Sequence, residues 1–221
     1  MTGIKSRPCH PTNYRQGRPG PVEYLVLHYV GAAGTAEQNA AYYGSTANIG
    51  ASAHYFVGHD GQVWQSVGEQ DTAWHCGAKS YRHSACRNGN AIGVELCCRR
   101  REVLPAGTAA TQGWYFEPKT VDAAVALCRD IVERYGLSRE RVLRHYDVTG
   151  KVCPAPFVYD GESWAAFLDR VFAPVEIGPA HWAHRAWEKA RSARVLDGTR
   201  PGEPVTRQEL AVVLDRLGLL K

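Results

Sequence analysis

No stretch of the chain approaches the roughly 18 consecutive apolar residues of a membrane-spanning helix. Residues 1–20 carry basic side chains with no apolar segment behind them, so we expect no cleaved secretory signal. Synthesis in the cytoplasm is therefore expected. If the protein acts outside a cell, release by lysis or a non-classical export route would have to deliver it.

Long basic runs with interleaved aromatic residues are also absent, which argues against nucleic acid as a partner. The formal net charge is +4, and the sequence pI is about 8.7. So mild an excess of positive charge fits simple solubility, and it also fits an anionic polymer as a partner.

The seven cysteines form no pair of CxxC motifs, and their number is odd. A chain of 221 residues with this pattern is not expected to be a disulfide-stapled scaffold. Cys97 and Cys128 fall in apolar patterns and are expected to be core thiols. Cys76 and Cys86 lie in a polar loop and could form a disulfide under oxidising conditions.

The apolar patterns predict an α/β domain, a mixed β-sheet flanked by helices, that ends near residue 173. The run VEYLVLHYV predicts a buried strand over residues 22–30. Asp60-Gly61 predicts the turn of a β-hairpin. The other elements of this domain are predicted as hairpin strands at 52–58 and 62–67, strands at 91–98 and 141–146, helices at 35–46, 120–135 and 161–172, and irregular segments at 70–90 and 99–117.

A small helical unit is predicted at the C-terminus, residues 174–221. It begins with a linker at 174–180 that contains two prolines and a glycine. A helix over 181–196 follows, and a second helix opens on a capping box between Thr206 and Glu209. About forty residues are too few for a self-sufficient core, so the unit is expected to dock on the first domain, on a second copy or on a partner.

His28, His145 and Cys153 are candidate metal ligands. His28 lies near the end of the first buried strand, His145 at the end of the strand RVLRHY, and Cys153 after the turn at 147–150. Strand ends hold side chains rigidly at a shared edge of a sheet. Two imidazoles and a thiolate suit tetrahedral zinc and leave a fourth position for water. The alternative is that the three are two ordinary histidines and a core cysteine.

The motifs LVLHYV, AIGVELCC and RHYDVTGKVCPAP, in this order, resemble the zinc amidase family of phage amidase-type lysozymes, bacterial N-acetylmuramoyl-L-alanine amidases and animal peptidoglycan recognition proteins. The segments AHYFVGHDGQVWQSV and TAWHCG resemble the central hairpin of that family and the loop after it. The resemblance covers residues 22–160. It implies the amidase fold and a zinc ion held by His28, His145 and Cys153.

The resemblance also implies two catalytic residues, Glu95 and Lys151. A carboxylate beside the metal can take the proton of the attacking water, and a lysine can share with zinc the charge that develops on the scissile carbonyl. The alternative for Glu95 is a buried acid paired with an arginine. Some family members have a tyrosine where this chain has Ala53, so the glutamate-type mechanism is preferred. His75 is expected at the rim of the cleft, in contact with substrate. Trp74 and Trp64 are expected to line the groove for substrate, with core packing as the alternative for both.

The resemblance therefore implies a peptidoglycan hydrolase of the endolysin or autolysin type, which cleaves the N-acetylmuramoyl–L-alanine bond through a zinc-bound water. Two alternatives remain, a non-catalytic peptidoglycan-binding module and a zinc amidase that acts on soluble muropeptides. The C-terminal unit resembles a single, shortened surface-layer-homology repeat. It is expected to bind the cell wall or to form a homodimer through its helices.

Overall fold

The computed structural model describes residues 3–174, 183–200 and 202–220. The chain divides into two compact units, residues 1–172 and 173–221. The predicted linker at 174–180 falls, apart from Pro174, outside the described residues. None of the helices in the described ranges has both the length and the apolar character needed to cross a bilayer.

The first unit is built on a six-stranded mixed sheet with helices packed against it. Five of its helices are α1 Ala36–Ser45, α2 Pro118–Tyr135, α3 His145–Thr149, α4 Ala155–Tyr159 and α5 Gly161–Phe172. The strands are β1 Lys5–Ser6, β2 Tyr14–Arg15, β3 Tyr24–Tyr29, β4 Tyr55–Val57, β5 Val63–Gln65, β6 Thr72–Ala73, β7 Ala91–Leu96, β8 Arg99–Arg100, β9 Trp114–Tyr115 and β10 Val142–Arg144. The predicted α/β class with a mixed sheet is confirmed.

The main sheet has the strand order β1-β5-β4-β7-β3-β10. Strand β3 pairs in parallel with β7 on one side and with β10 on the other, and β4 runs parallel to β7. The predicted hairpin is confirmed, because β4 and β5 are antiparallel. The central position of β3 and β7 explains their apolar sequences, since strands covered on both faces have no solvent-facing side.

The two faces of the sheet have different roles because side chains alternate along each strand. One set of positions on β3, β4 and β7 packs with α2 and α5 into the largest buried cluster. This set includes Leu25, Leu27, Ile92 and Val94. The intervening positions face the other way, and among them are His28 and Glu95, which are register partners on β3 and β7. Alternation thus separates the face that packs on α2 and α5 from the face that carries His28 and Glu95.

Helix ends follow the sequence signals closely. Thr35 caps α1, accepting a hydrogen bond from the Gln38 backbone N–H at 3.1 Å, as the sequence predicts. Helix α2 begins at Pro118, two residues before the predicted start, because proline suits the first helical position. It stops at Gly136, whose φ of 61° is the left-handed conformation typical of a helix end.

Several short elements in the irregular segments differ from the prediction. Strand β6, in the segment predicted to be irregular at 70–90, pairs with β2, and β8 pairs with β9 in the segment at 99–117. Helix α4 was not predicted either. Each has only two to five residues. The sequence does not predict elements this short, because too few residues contribute to a periodic signal. Tertiary contacts fix them instead.

The second unit contains helices α6 His184–Ser192 and α7 Arg207–Arg216. The predicted capping box is present, with the Thr206 hydroxyl accepting from the Glu209 backbone N–H. None of the described residues in either helix is buried. Between the helices lies a groove of about 450 Å³, lined in part by Trp187, Val195 and Val213. Residues 181–182, assigned from sequence to the first of these helices, lie outside the described residues.

Candidate active site

His28 lies in the middle of the main sheet, near the end of β3. Its side chain is 1% exposed and faces away from the layer formed by α2 and α5. Burial lowers the pKa of His28 well below its ordinary value, and nearby His75 and His145 lower it further. The ring is therefore neutral at neutral pH, which is the form that binds a metal.

His145 is the first residue of helix α3, and the predicted strand over 141–146 was wrong at its end. The strand stops at Arg144, because Asp147 accepts a hydrogen bond from the Arg144 backbone N–H at 2.9 Å and starts a helix. Burial lowers the pKa of His145 to about 3, and the charges of Lys151 and His75 act in the same direction. Like His28, this ring is neutral at neutral pH.

Cys153 is brought to the two histidines by the chain reversal after α3. Gly150 ends the helix with a φ of 88°, a conformation that glycine adopts without strain. The Tyr146 N–H then donates to the Cys153 carbonyl at 2.8 Å. Burial raises the pKa of the Cys153 thiol, and the charge of Glu95 raises it further. A bound metal ion would deprotonate this thiol.

These three residues fit a metal ion. Their candidate ligand atoms all lie within 4.8 Å of one another, and all three residues are buried. Cys153 Sγ is 3.7 Å from His28 Nδ1. Zinc bonds of about 2.3 Å to sulfur and 2.0–2.1 Å to nitrogen, at a tetrahedral angle, put such atoms about 3.5 Å apart. His145 Nδ1 is buried with no hydrogen-bond partner in the described structure, as expected for an atom kept for a metal.

Glu95 stands directly beside this cluster. It is the register partner of His28, and its Oε2 is buried without a hydrogen-bond partner among the described residues. No arginine forms an ion pair with it in the described ranges, so the structural alternative, a buried acid paired with an arginine, is not supported. Burial raises the pKa of Glu95 to about 7, although the charges of Lys151 and His75 pull it down.

A cavity of about 590 Å³ opens over the cluster. It is lined by Trp74, His75, His145 and Lys151, together with small and polar side chains such as Asn88. Lys151 is exposed at this cavity, and its charge lowers the pKa of Glu95. The structure therefore gathers the predicted catalytic, substrate-contacting and metal-ligating residues at one place. Trp64, a second candidate for the groove, instead packs against the cluster around Phe56.

The cysteines after the hairpin differ from the prediction. Residues 70–90 are largely irregular, as expected, but Cys76 and Cys86 are fully buried rather than part of a polar loop. Both belong to one buried cluster with Tyr24 and Val26, and both are free thiols. Their burial explains how this long irregular segment keeps a fixed conformation beside the cavity. Cys97 and Cys128 are core thiols, as predicted.

Sequence reasoning missed one contact in the site. His75 Nδ1 lies 3.0 Å from His28 Nε2, and the two rings meet edge to face at an interplanar angle of 84°. The resemblance places His75 at the cleft rim, which it does line, but the sequence gives no signal of its contact with His28, 47 residues away. Only the three-dimensional structure shows it.

Comparisons with known proteins give the family. A family model described as N-acetylmuramoyl-L-alanine amidase matches residues 18–156. The N-acetylmuramoyl-L-alanine amidase CwlL of Bacillus licheniformis is 31% identical over 167 residues, which cover 70% of this chain and 43% of CwlL. The amidase AmiD of Escherichia coli (strain K12) is 28% identical over 217 residues, covering 89% of this chain and 66% of AmiD.

The fold has solved counterparts. The structure of a mutant of PlyL superposes with a TM-score of 0.61 at 23% identity, over 78% of this chain and 99% of that one, which shows the shared fold. The chain spans less than half the length of CwlL. Because the family match covers more than half of the chain, this protein belongs to the N-acetylmuramoyl-L-alanine amidase family.

Proposed function

We propose that the protein hydrolyses the amide bond between N-acetylmuramic acid and L-alanine in peptidoglycan. The observation that carries the proposal is the buried cluster of His28, His145 and Cys153 beside the unpartnered carboxyl of Glu95, in a chain of this family. Zinc fits the cluster because two neutral imidazoles and a thiolate are the donors it prefers.

A zinc ion held by His28, His145 and Cys153 would supply a nucleophile at neutral pH and polarise the scissile carbonyl. Glu95 acts as the proton carrier, because its carboxyl faces the cluster and has a pKa of about 7. A group with a pKa near the working pH can both accept and return a proton. Its unpartnered Oε2 is free for that exchange.

Lys151 provides fixed positive charge at the cavity. Its ammonium group has no carboxylate partner in the described ion pairs, and it lines the same cavity as His145. Positive charge that is in place before the reaction stabilises the negative oxygen that forms during amide hydrolysis. Trp74 and His75 line the cavity as well and contact the substrate in this proposal.

The products of digestion test this proposal. Purified sacculi incubated with the protein should gain free amino termini on L-alanine and no new reducing sugars, as read by mass spectrometry. A parallel arm with a soluble muropeptide separates a wall hydrolase from an amidase of soluble fragments. Binding to sacculi with no new amino termini, in protein loaded with zinc, would instead identify a non-catalytic module and overturn the proposal.

The second unit is proposed to hold the protein on the cell wall, with self-association as the competing role. Its two helices have no buried residue of their own in the described ranges, and Leu210 and Leu217 are about half exposed. An apolar surface of that kind is normally covered by a partner.

Deleting residues 174–221 is expected to reduce binding to sacculi while leaving hydrolysis of small soluble substrates nearly unchanged. The reason is that every proposed metal-binding and catalytic residue lies in the first unit. Co-sedimentation with sacculi and turnover of a soluble muropeptide measure the two effects, and analytical ultracentrifugation of both chains reports loss of a dimer. A truncated chain that lost zinc or unfolded would place the C-terminal residues in the catalytic core.

A further inference from the structure

The contact between His28 and His75 joins Nε2 of one ring to Nδ1 of the other. Nδ1 is the His28 nitrogen that lies 3.7 Å from Cys153 Sγ, so Nδ1 faces the metal cluster. Nε2 points the other way and lies 3.0 Å from His75 Nδ1. A neutral imidazole that gives one nitrogen to a metal carries its proton on the other. With a metal ion on Nδ1, His28 Nε2–H would donate and His75 Nδ1 would accept.

The backbone of His75 is held in place by the side chain of Asn88. The backbone N–H groups of His75 and Cys76 both donate to Asn88 Oδ1, at 3.1 and 2.8 Å. The ring lies against Gly93 on strand β7, where a Cβ would come within 2.4 Å of His75 Cγ. Only glycine leaves this room, so the sheet and the loop together fix the ring.

The strand beneath His75 is fixed in turn by His54. The Gly93 N–H donates to His54 Nδ1 at 2.9 Å, and the His54 N–H donates back to the Gly93 carbonyl at 3.0 Å. His54 is fully buried, and its Nε2 lies 2.7 Å from Arg18 Nη2. These bonds hold Gly93 in the position that receives the His75 ring.

We propose that His75 is a positioning residue for the metal site, which fixes the tautomer and ring orientation of His28 by accepting its Nε2–H. His75 is not a member of the ligand cluster formed by His28, His145 and Cys153. Histidines that bind metals generally donate their second N–H to such a partner, and loss of that partner typically weakens metal binding about 10- to 100-fold. The inference rests on the proposed metal site and assigns His75 a role beyond contact with substrate.

The test compares His75→Ala with His75→Asn in the full-length protein. Alanine removes the acceptor. Asparagine carries Oδ1 on Cγ, where histidine carries Nδ1, so it can still accept from His28. His59→Ala is the matched control, because His59 is also half buried but lies in the hairpin turn, outside the cluster. Zinc affinity is measured by competition with a chromophoric chelator, and the thermal midpoint is measured in EDTA for each variant.

We expect the zinc Kd to rise about 10- to 100-fold in His75→Ala and to return to within a few-fold of the parent value in His75→Asn. In EDTA, the thermal midpoint of each His75 variant should differ from the parent midpoint by no more than that of His59→Ala does. This comparison separates positioning from a general loss of stability. Long-range ¹H–¹⁵N spectra of the zinc-loaded parent should show the proton of His28 on Nε2.

Equal zinc affinity in the parent and in His75→Ala would overturn the positioning role, as would an Asn variant no better than alanine. X-ray absorption that counts one imidazole fewer in His75→Ala would make His75 a ligand and would also overturn it. A parent protein with no zinc affinity at all would refute the metal site itself, so the two failures are distinguishable.

Discussion

Replacing Glu95 with Gln is expected to slow amide hydrolysis by about 10²–10⁴-fold without loss of zinc, because it removes proton transfer and little else. Glutamine has nearly the shape of glutamic acid, and the Glu95 side chain makes no ion pair whose loss would disturb the fold in the described structure. Since Glu95 is held partly buried with a raised pKa of about 7, the neutral amide should be accommodated without loss of stability.

The measurement is kcat and KM on a soluble muropeptide, together with zinc content of the same preparation. Glu133→Gln is the control, because Glu133 is an exposed glutamate on helix α2 and α2 packs on the opposite face of the sheet. The loss should fall on kcat, since the carboxylate acts in the transition state. Turnover within a few-fold of the parent would mean that another group is the base, and His75 would be the next residue to test.

The sheet and its helices could be predicted because their signals are local and repeated. The run around Leu25 and Leu27 is apolar throughout because β3 is covered on both faces. Helix α5 was predicted at its observed bounds, 161–172, and it packs Phe167 and Val171 into the core. The hairpin followed from Asp60-Gly61, since Gly61 adopts a φ of 83°.

The sequence predicted which residues come together at the candidate site, but not the geometry of that site. His28, His145 and Cys153 were proposed from their positions at strand ends and after a turn, and from the family resemblance. Strand alternation explains why His28 and Glu95 share a face. The start of α3 at His145 depends on one side-chain cap, from Asp147, which the apolar pattern of RVLRHY concealed. A local side-chain bond of this kind offers the backbone an alternative to continuing the strand, and it involves the residues of a single turn only.

Long-range contacts between polar residues gave no sequence signal. The His28–His75 bond and the burial of Cys76 and Cys86 depend on how an irregular segment lies across the sheet. No period describes such a segment, and its polar composition gave no sign that Cys76 and Cys86 would be buried. The sequence does contain Gly93, the glycine that leaves room for the His75 ring. Its role becomes clear only from the structure, in which a Cβ at this residue would clash with that ring.

Removing the proposed ligands is expected to have the largest effect of all. His145→Ala and Cys153→Ala should each lose stoichiometric zinc and measurable amidase activity, because two remaining donors cannot hold the ion in a catalytic geometry. Metal bound only by the folded state adds RT ln(1 + [L]/Kd) to stability, about 4 kcal/mol when zinc is present at 1,000 times its Kd. The variants should therefore unfold at the same temperature with or without added zinc, whereas the parent midpoint should fall in EDTA.

Cys128→Ala is the matched control for removing a buried thiol. Cys128 is as buried as Cys153 but lies on helix α2, in the core on the opposite face of the sheet. Its loss should therefore cost stability and leave zinc content unchanged. Atomic absorption on dialysed protein gives the stoichiometry, and thermal denaturation with zinc or EDTA gives the linked stability. If the double variant His145→Ala with Cys153→Ala still held one zinc per chain, the ion would be bound elsewhere, and the assignment of this cluster would be refuted.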